Sequence, residues 1–367
     1  MIPPIKLKDV AKAAGVSQGT ASNAFNRPEL VRPEVRERVA AAASRLGYAG
    51  PDPRGRLLRD GKFHAIGVVP PGAFGLSIMF SGGYTADFLA GIAEVCDEMG
   101  AALTLVSGRD QEKAQGIRNA LVDGFILNRI EDLDLVDPAR RRGLAVVVMD
   151  EDGDSNTNSV RLDDRDGARQ AAQHLVGLGH RRFAILSVMR EDRHESIFHA
   201  PGEPHHRLLT GFTHDRDRLS GYGEVLAEAG ISLDEVPIIE GYVSPKGAFA
   251  GAAMLFDRAP ETTAVLTMSD GLALAVLDEA HQRSISVPRD LSVVGFDDWA
   301  AAARADPPLT TVFQPVVEKG RAAARILFEG GPPRHVVLPL RLVVRSSTAP
   351  PREEGTRPAM RRKPRRP

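Results

Sequence analysis

Leu7–Tyr48, LKDVAKAAGVSQGTASNAFNRPELVRPEVRERVAAAASRLGY, reads as three short helices with a tight turn after the first. Lys8–Ala14 is alanine-rich and favours helix, and Gly15 can adopt the left-handed conformation that stops one. Ser17 suits an N-cap, so a second helix is expected from there to about Phe25. Val10, Ala14, Val16, Ala21 and Ala24 can close a small core between two crossed helices. A third helix is expected from Pro33 to Leu46, with proline in the first helical position and Gly47 just past the end. Arg32 stands at its N-cap, where serine or threonine would serve better. Helix, glycine turn and capped helix is the sequence form of a helix-turn-helix, whose second helix enters the DNA major groove. The same pattern fits a small helical bundle with no nucleic-acid role, so the rest of the chain has to decide.

Charge is the first deciding feature. The net charge of −1 conceals a basic head, because residues 1–62 carry 12 Lys/Arg against 6 Asp/Glu. Residues 351–367 carry 7 against 2, which leaves the middle of the chain with 28 basic and 40 acidic residues. A basic head on an acidic body draws DNA to one end and repels it elsewhere. Residues 50–62 are a Pro/Gly/Arg-rich hinge in which Leu57 and Leu58 stand among arginines. Arg54–Arg59 is too short for a stable isolated helix. As a segment that folds on DNA it makes sense, with arginines on phosphates and a leucine wedged between base steps.

From Phe63 onward, strands and helices alternate. HAIGVV, ALTLVS, DGFILN and LAVVVMD form one set, with helices at Ala86–Met99 and Gln111–Leu121. FAILSV, VPIIE, TAVLTM and LSVVGFD form a second, from about Val160, with helices at Asp166–Leu178, Arg218–Ala229, Pro245–Arg258 and Gly271–Arg283. Two such sets predict an α/β body of two lobes with parallel sheets and a cleft between them. At 367 residues the chain has room for this core. No apolar run is long enough for a membrane span, and Met1–Val10 lacks the apolar core of a secretory signal, so the cytoplasm is the expected compartment. The single Cys96 falls in an amphipathic helix and is expected in the core.

In parallel sheets the ligand site lies beyond the carboxyl ends of the strands. That rule nominates Asn128 after FIL, Asp150 after VVVM, Ser269 and Asp270 after VLTM, and Asp297 and Asp298 after VVGF. Asp150 and Asp297 are taken as ligand residues, Asp270 and Asp298 as helix caps. No P-loop, nucleophile elbow or zinc-type Cys/His spacing occurs, so no catalytic residue, metal or cofactor is assigned. Five of the ten histidines fall in Arg190–Asp215, broken by Pro and Gly, which reads as a solvated loop over the cleft. The tail at 349–367 is expected to be disordered.

Residues 6–348 resemble the lactose-repressor family of bacterial transcription regulators. The resemblance rests on DVAKAAGVS followed by TAS in the head, and on DGFILN, LGHRRFAIL, RLSGY, TAVLTMSDGLALAVL, LSVVGFDD and PPLTTVFQP in the body. It implies a helix-turn-helix head (1–49), a hinge (50–62) and a body (63–348) like periplasmic sugar-binding proteins. The first lobe would hold about 63–161 and 314–344, the second about 162–313, with a basic tail at 349–367. The implied partners are a double-stranded DNA operator, a small sugar-like or nucleoside-like effector and a second copy of the chain, with a tetramer left open and no membrane contact. By matching position, Gln18, Gly19 and Asn23 would read bases, and Ser17, Thr20 and Ser22 would lie near phosphates or the groove edge. Leu58 would be the intercalating hinge leucine with Arg56 beside it. Tyr84, Thr85, Asn128, Asp150, Arg218, Ser269 and Asp297 would line the effector cleft. Gly19 offers no side chain to a base, and Asn23 favours adenine where arginine would favour guanine. A binding protein with no DNA role and an enzyme built on Asp150 and Asp297 are the competing readings. The basic head counts against the first, and the absence of a nucleophile, metal or cofactor motif against the second.

Overall fold

The computed structural model describes residues 5–50, 61–69, 83–106, 110–128, 136–188, 196–202, 213–241 and 245–352. The chain divides into two compact units, Met1–Phe63 and His64–Pro367. Arg56 and Leu58, and the basic tail from residue 353, lie outside the described residues.

The head holds α1 (Leu7–Ala14), α2 (Gln18–Asn26) and α3 (Pro33–Leu46). Gly15 closes α1 at φ +65°, and Val16 N–H donates back to the Ala11 carbonyl at 3.0 Å. Gly47 closes α3 the same way at φ +68°, with Tyr48 N–H on the Ala43 carbonyl at 2.9 Å. These left-handed closures satisfy carbonyls that a helix end leaves without partners. Ser17 Oγ accepts the Thr20 N–H at 3.0 Å, so it is the N-cap of α2. Arg32 gives α3 no side-chain cap. The core comprises Val10, Ala11, Ala21, Val39, Ala42 and Ala43, with Ala14, Val16, Ala24 and Phe25 packed at its edge. α3 therefore supplies half of the buried set, beyond the two-helix core expected from α1 and α2.

The body is built on two sheets. The first has the order β12-β5-β4-β3-β1-β2, all parallel, from β1 (Ala65–Val69), β2 (Ala102–Leu105), β3 (Gly124–Asn128), β4 (Ala145–Met149), β5 (Asn158–Leu162) and β12 (His335–Leu338). The second has the order β13-β11-β10-β9-β6-β8-β7. Its strands are β6 (Phe183–Val188), β7 (Ile197–His199), β8 (Ile238–Gly241), β9 (Ala264–Thr267), β10 (Ser292–Asp297), β11 (Thr310–Phe313) and β13 (Arg341–Val343). Only its edge strands β7 and β13 run antiparallel. The helices are α4 (Gly83–Met99), α5 (Asp110–Asn119), α6 (Asp137–Arg140), α7 (Asp164–Gly177), α8 (Thr213–Glu228), α9 (Pro245–Arg258), α10 (Asp270–Gln282), α11 (Ala300–Arg304) and α12 (Val316–Glu329). Cys96 is buried in the first-lobe core.

The chain crosses between lobes after β5, after β11 and after β12. The third crossing corrects the expected lobe boundary. Arg341–Val343 pairs with Thr311–Phe313 of the second sheet, so the first lobe ends near Leu338 rather than at 344. The ordered body also runs further than expected. Ala349 O accepts from His180 Nε2 at 2.9 Å and Arg352 pairs with Asp290 at 2.8 Å, so 349–352 belong to the second lobe rather than to a disordered tail. The expected histidine loop is likewise partly regular structure, because His199 lies in β7 and His214 in the first turn of α8. His194, His205 and His206 lie outside the described residues.

In each lobe the helix that follows a crossing packs backbone-close on its neighbour. A Cβ on Gly320 of α12 would stand 2.2 Å from the Phe88 carbonyl oxygen of α4. A Cβ on Gly221 of α8 would stand 2.3 Å from the Arg165 carbonyl oxygen of α7. Only glycine permits approaches this short. Lys319 precedes Gly320 directly and Arg218 stands one turn before Gly221.

Candidate functional site

In the head, α2 buries Ala21 and leaves Gln18, Gly19 and its N-cap Ser17 exposed. Gly19 and Asn23, four residues apart, lie on the helix face opposite Ala21, and Gln18 and Ser22, also four apart, flank it. Ser17 and Thr20 hydroxyls bond each other at 2.9 Å, and Asn26 Nδ2 donates to the Ser22 carbonyl at 3.0 Å. The head's described Lys and Arg side chains, among them Lys6, Lys8, Lys12, Arg27, Arg36 and Arg45, are all exposed. An amide side chain and open backbone on one helix face, surrounded by cations, suit a nucleic-acid groove.

In the body, the strand-end residues meet partners from distant parts of the chain. Asp150, just past β4, adopts φ +63°, a conformation rarely taken by a non-glycine residue and one that collects at functional sites. Its carboxylate accepts from Lys319 Nζ, and the same ammonium donates to the Tyr84 hydroxyl at 2.7 Å. Lys319 is 1% exposed. Burial alone would lower its pKa, but the facing Asp150 and Tyr84 hold it above the ordinary lysine value. Thr85, half-buried beside Tyr84 in the first turn of α4, joins none of these bonds. Asn128 at the end of β3 lies in register with Met149, one residue before Asp150. Its Oδ1 is buried without a hydrogen-bond partner among the described residues.

The second lobe mirrors this arrangement. Arg218 Nε donates to Asp164 Oδ1 at 2.7 Å, Nη1 donates to the Met268 carbonyl at 2.6 Å, and the guanidinium lies 3.7 Å from the Phe296 ring centroid. Burial pushes the Asp164 carboxyl up to about 6 despite Arg218, and the Asp150 charge pushes the same way. Asp297 holds φ +129° and accepts from Gln314 Nε2 at 2.5 Å. Burial and the nearby Asp270 carboxylate raise Asp297 well above the usual carboxylate range. Asp164 of the second lobe feels the charges of Asp150 and Lys319 of the first, so the two buried pairs lie within electrostatic range of each other. Thr213 Oγ1, at the start of α8, donates to the Glu151 carboxylate at 2.5 Å and bridges the lobes.

Two sequence expectations are corrected here. Asp270 and Asp298 do not cap helices. Ser269 caps α10, its Oγ accepting the Leu272 N–H at 3.3 Å, and keeps its hydroxyl proton free to donate. Asp270 instead accepts from Thr311 Oγ1 at 2.6 Å and Trp299 N–H at 2.7 Å, tying three strand ends together. Asp298 accepts from Arg345 Nη2 at 2.6 Å. Lys319, Asp164 and Gln314 are the cleft residues that sequence reasoning missed. A signal existed for Lys319, which falls on the buried stripe of α12 with Val316, Gly320, Ala323 and Ala324.

Known proteins fit this geometry. Residues 6–50 match the family model described as bacterial regulatory proteins, lacI family. Residues 80–201 match the periplasmic binding proteins and sugar binding domain of that family, and 172–348 a periplasmic binding protein-like domain. An HTH-type transcriptional regulator of Mycobacterium tuberculosis is 37% identical over 337 residues, covering 89% of this chain and 91% of its own. The chain belongs to the lacI family. It is a DNA-binding transcriptional regulator with an effector-binding body. The regulator IpsA of Corynebacterium glutamicum is 36% identical, covering 88% of this chain and 90% of its own. Among solved structures, the lac repressor dimer bound to operator and the anti-inducer ONPF superposes with a TM-score of 0.77 at 26% identity, covering 94% of this chain and 99% of its own. A CelR–cellobiose complex gives 0.67 at 28%, covering 94% and 99%. These relatives are named as regulators. No helix among the described residues of this lacI-family chain is long and apolar enough to cross a membrane.

Proposed function

We propose that this chain acts in the cytoplasm as a homodimeric repressor, each head reading half of an operator and each interlobe cleft holding a small-molecule effector. Gln18, Gly19 and Asn23 face the bases in this reading, with Ser17, Thr20 and Ser22 at the groove edge. The hinge residues Arg56 and Leu58 contact the minor groove. Tyr84, Asn128, Asp150, Arg218, Ser269 and Asp297 meet the effector, joined by Lys319, Asp164 and Gln314, and Thr85 stands at the edge of the set. The observation that carries the reading is the convergence of buried, charged side chains from both lobes around the strand ends. Such groups bind and orient a polar molecule, and a ligand touching both lobes shifts their equilibrium. Because DNA and effector bias one equilibrium, their affinities are reciprocally linked. A sugar-like or nucleoside-like molecule fits the mixed donors and acceptors. The name CelR–cellobiose complex, carried by a structural relative, is in keeping with this.

Asn23 supplies the test of the head. Asn23→Ala is expected to relax base preference at one position of each operator half-site, by about 1–3 kcal/mol, while nonspecific binding stays nearly unchanged. Binding to a set of operator variants by gel shift reads this directly. Equal weakening on every sequence would remove Asn23 from the base-reading set.

A further inference from the structure

We propose that the arginine-rich stretch 353–367 is a second, sequence-independent DNA contact, rooted at the end of the second lobe that lies opposite the effector residues. This contact is independent of the molecule that the cleft holds.

The root is fixed by a strap of irregular chain, Ser346–Arg352, on the second lobe. Ser346 N–H donates to the Pro308 carbonyl at 3.0 Å. Ser347 is fully buried, donates its hydroxyl to the Val293 carbonyl at 2.6 Å and accepts the Thr310 N–H at 2.8 Å. Ala349 N–H donates to Ser292 Oγ at 3.0 Å, and the Ala349 carbonyl accepts from His180 Nε2 at 2.9 Å. Arg352 closes the strap on Asp290 at 2.8 Å. His180 and Asp290 stand just before β6 and β10, and Ser292 and Thr310 are the first residues of β10 and β11. The chain therefore leaves the lobe at the amino ends of these parallel strands. Ser269, Asp297 and Gln314 stand at the opposite, carboxyl ends. The length of β10 puts Asp297 roughly 17 Å from Ser292, so DNA at the root leaves the effector residues clear.

Beyond Arg352 the chain reads EEGTRPAMRRKPRRP. Every position from Arg361 to Arg366 except Pro364 is a cation, and Ala359 and Met360 are the only apolar side chains besides proline. Such a stretch has little to bury against an apolar surface. Its charge suits a polyanion, and arginine pairs with phosphate through two parallel hydrogen bonds. The lobe itself is a poor target. Among the described residues, the chain leading into β8, β9 and β11 exposes Asp234, Glu235, Glu261 and Asp306. Exposed Arg181, Arg182, Arg289 and Arg304 answer them from the chain leading into β6, β10 and β11, and Asp290 is taken by Arg352. Duplex DNA carries one phosphate charge per about 1.7 Å and is by far the denser anion. A head bound to its operator also keeps DNA tethered to the same chain, which raises the local concentration of phosphate.

Fluorescence anisotropy with a labelled duplex that lacks the operator, repeated across a salt series, tests this. The unaltered chain is compared with a chain ended after Arg352 and with the full-length charge variant R361Q/R362Q/K363Q/R365Q/R366Q. Both variants keep the strap, so both are expected to melt at the temperature of the unaltered chain. Each is expected to bind the duplex ~10-fold or more weakly at low salt. The slope of log affinity against log salt should become shallower by about 3–5, since each phosphate contact contributes about 0.9. Preference for operator over unrelated DNA should rise in both, because the head is untouched. Affinity and salt slope unchanged in either variant would overturn the proposal. So would a lowered melting temperature with duplex binding intact, which would place the stretch on the body instead of on DNA. The regulator reading fails separately. An unaltered chain that shows no preference for any operator would end that reading, while the salt slopes still decide the role of residues 353–367.

Discussion

The head and the cleft are held together by different physics. The head is a small core of valines and alanines closed by neighbours in sequence: Gly15, Ser17 and Gly47 each complete a helix end within four residues. The cleft is held by pairs that are distant in sequence, Asp150 with Lys319, Asp164 with Arg218, and Asp297 with Gln314. Local caps tolerate single losses. Buried pairs do not, because removing one partner strands the other's charge.

Substitutions that break each region should therefore differ in size. Lys319→Met strands Asp150 and is expected to destabilise the body by roughly 3–5 kcal/mol in denaturant unfolding, with Asp150→Asn/Lys319→Met recovering most of it. A loss below about 1 kcal/mol would mean that water reaches the pair. Asp164 gives the next largest effect, seen as pH dependence. Its pKa of about 6 when folded exceeds the unfolded value near 3.9, so the folded state keeps a proton that the unfolded chain has lost. Stability then falls as pH rises from about 4 to about 6, and Asp164→Asn should flatten that slope by roughly 3 kcal/mol. An unchanged slope would assign the titration to other carboxyls, of which Asp270 is also pushed up to about 6.

In the head the expected changes are smaller. Ser17→Ala removes the Thr20 N–H acceptor and should cost about 1 kcal/mol, visible as a lower melting temperature of the head transition. Gly19→Ala runs the other way. An added Cβ meets only Ser17 Oγ at 3.8 Å, so the variant should gain up to about 1 kcal/mol of helix stability. Its operator affinity then reports whether DNA approaches the backbone there too closely for a methyl group.

The same division explains what the sequence revealed. Helix ends in the head were legible because glycine, serine and proline act within one turn of where they stand. The body's alternation of strands and helices was legible because each strand is a run of Val, Ile and Leu. Asn128, Asp150, Ser269 and Asp297 followed from their places at strand ends. The partners did not follow. Nothing near Asp150 in sequence points to Lys319, 169 positions away, apart from a lysine on a buried helix stripe. That α8 already covers Thr213–Asp217, ahead of the expected start at Arg218, was hidden for the same reason, since Thr213 is anchored by Glu151 of the other lobe. The return of Arg341–Val343 to the second sheet was hidden too, because a three-residue edge strand carries no period of its own.

The account is tested most directly by a gel shift of the full chain on the control region of a gene it regulates, titrated with salt. A sequence-specific complex is expected, its affinity falling linearly on logarithmic axes as salt rises, as phosphate contacts by the basic head require. Binding indifferent to sequence, or no complex at any salt concentration with or without uncharged polyols, would contradict it.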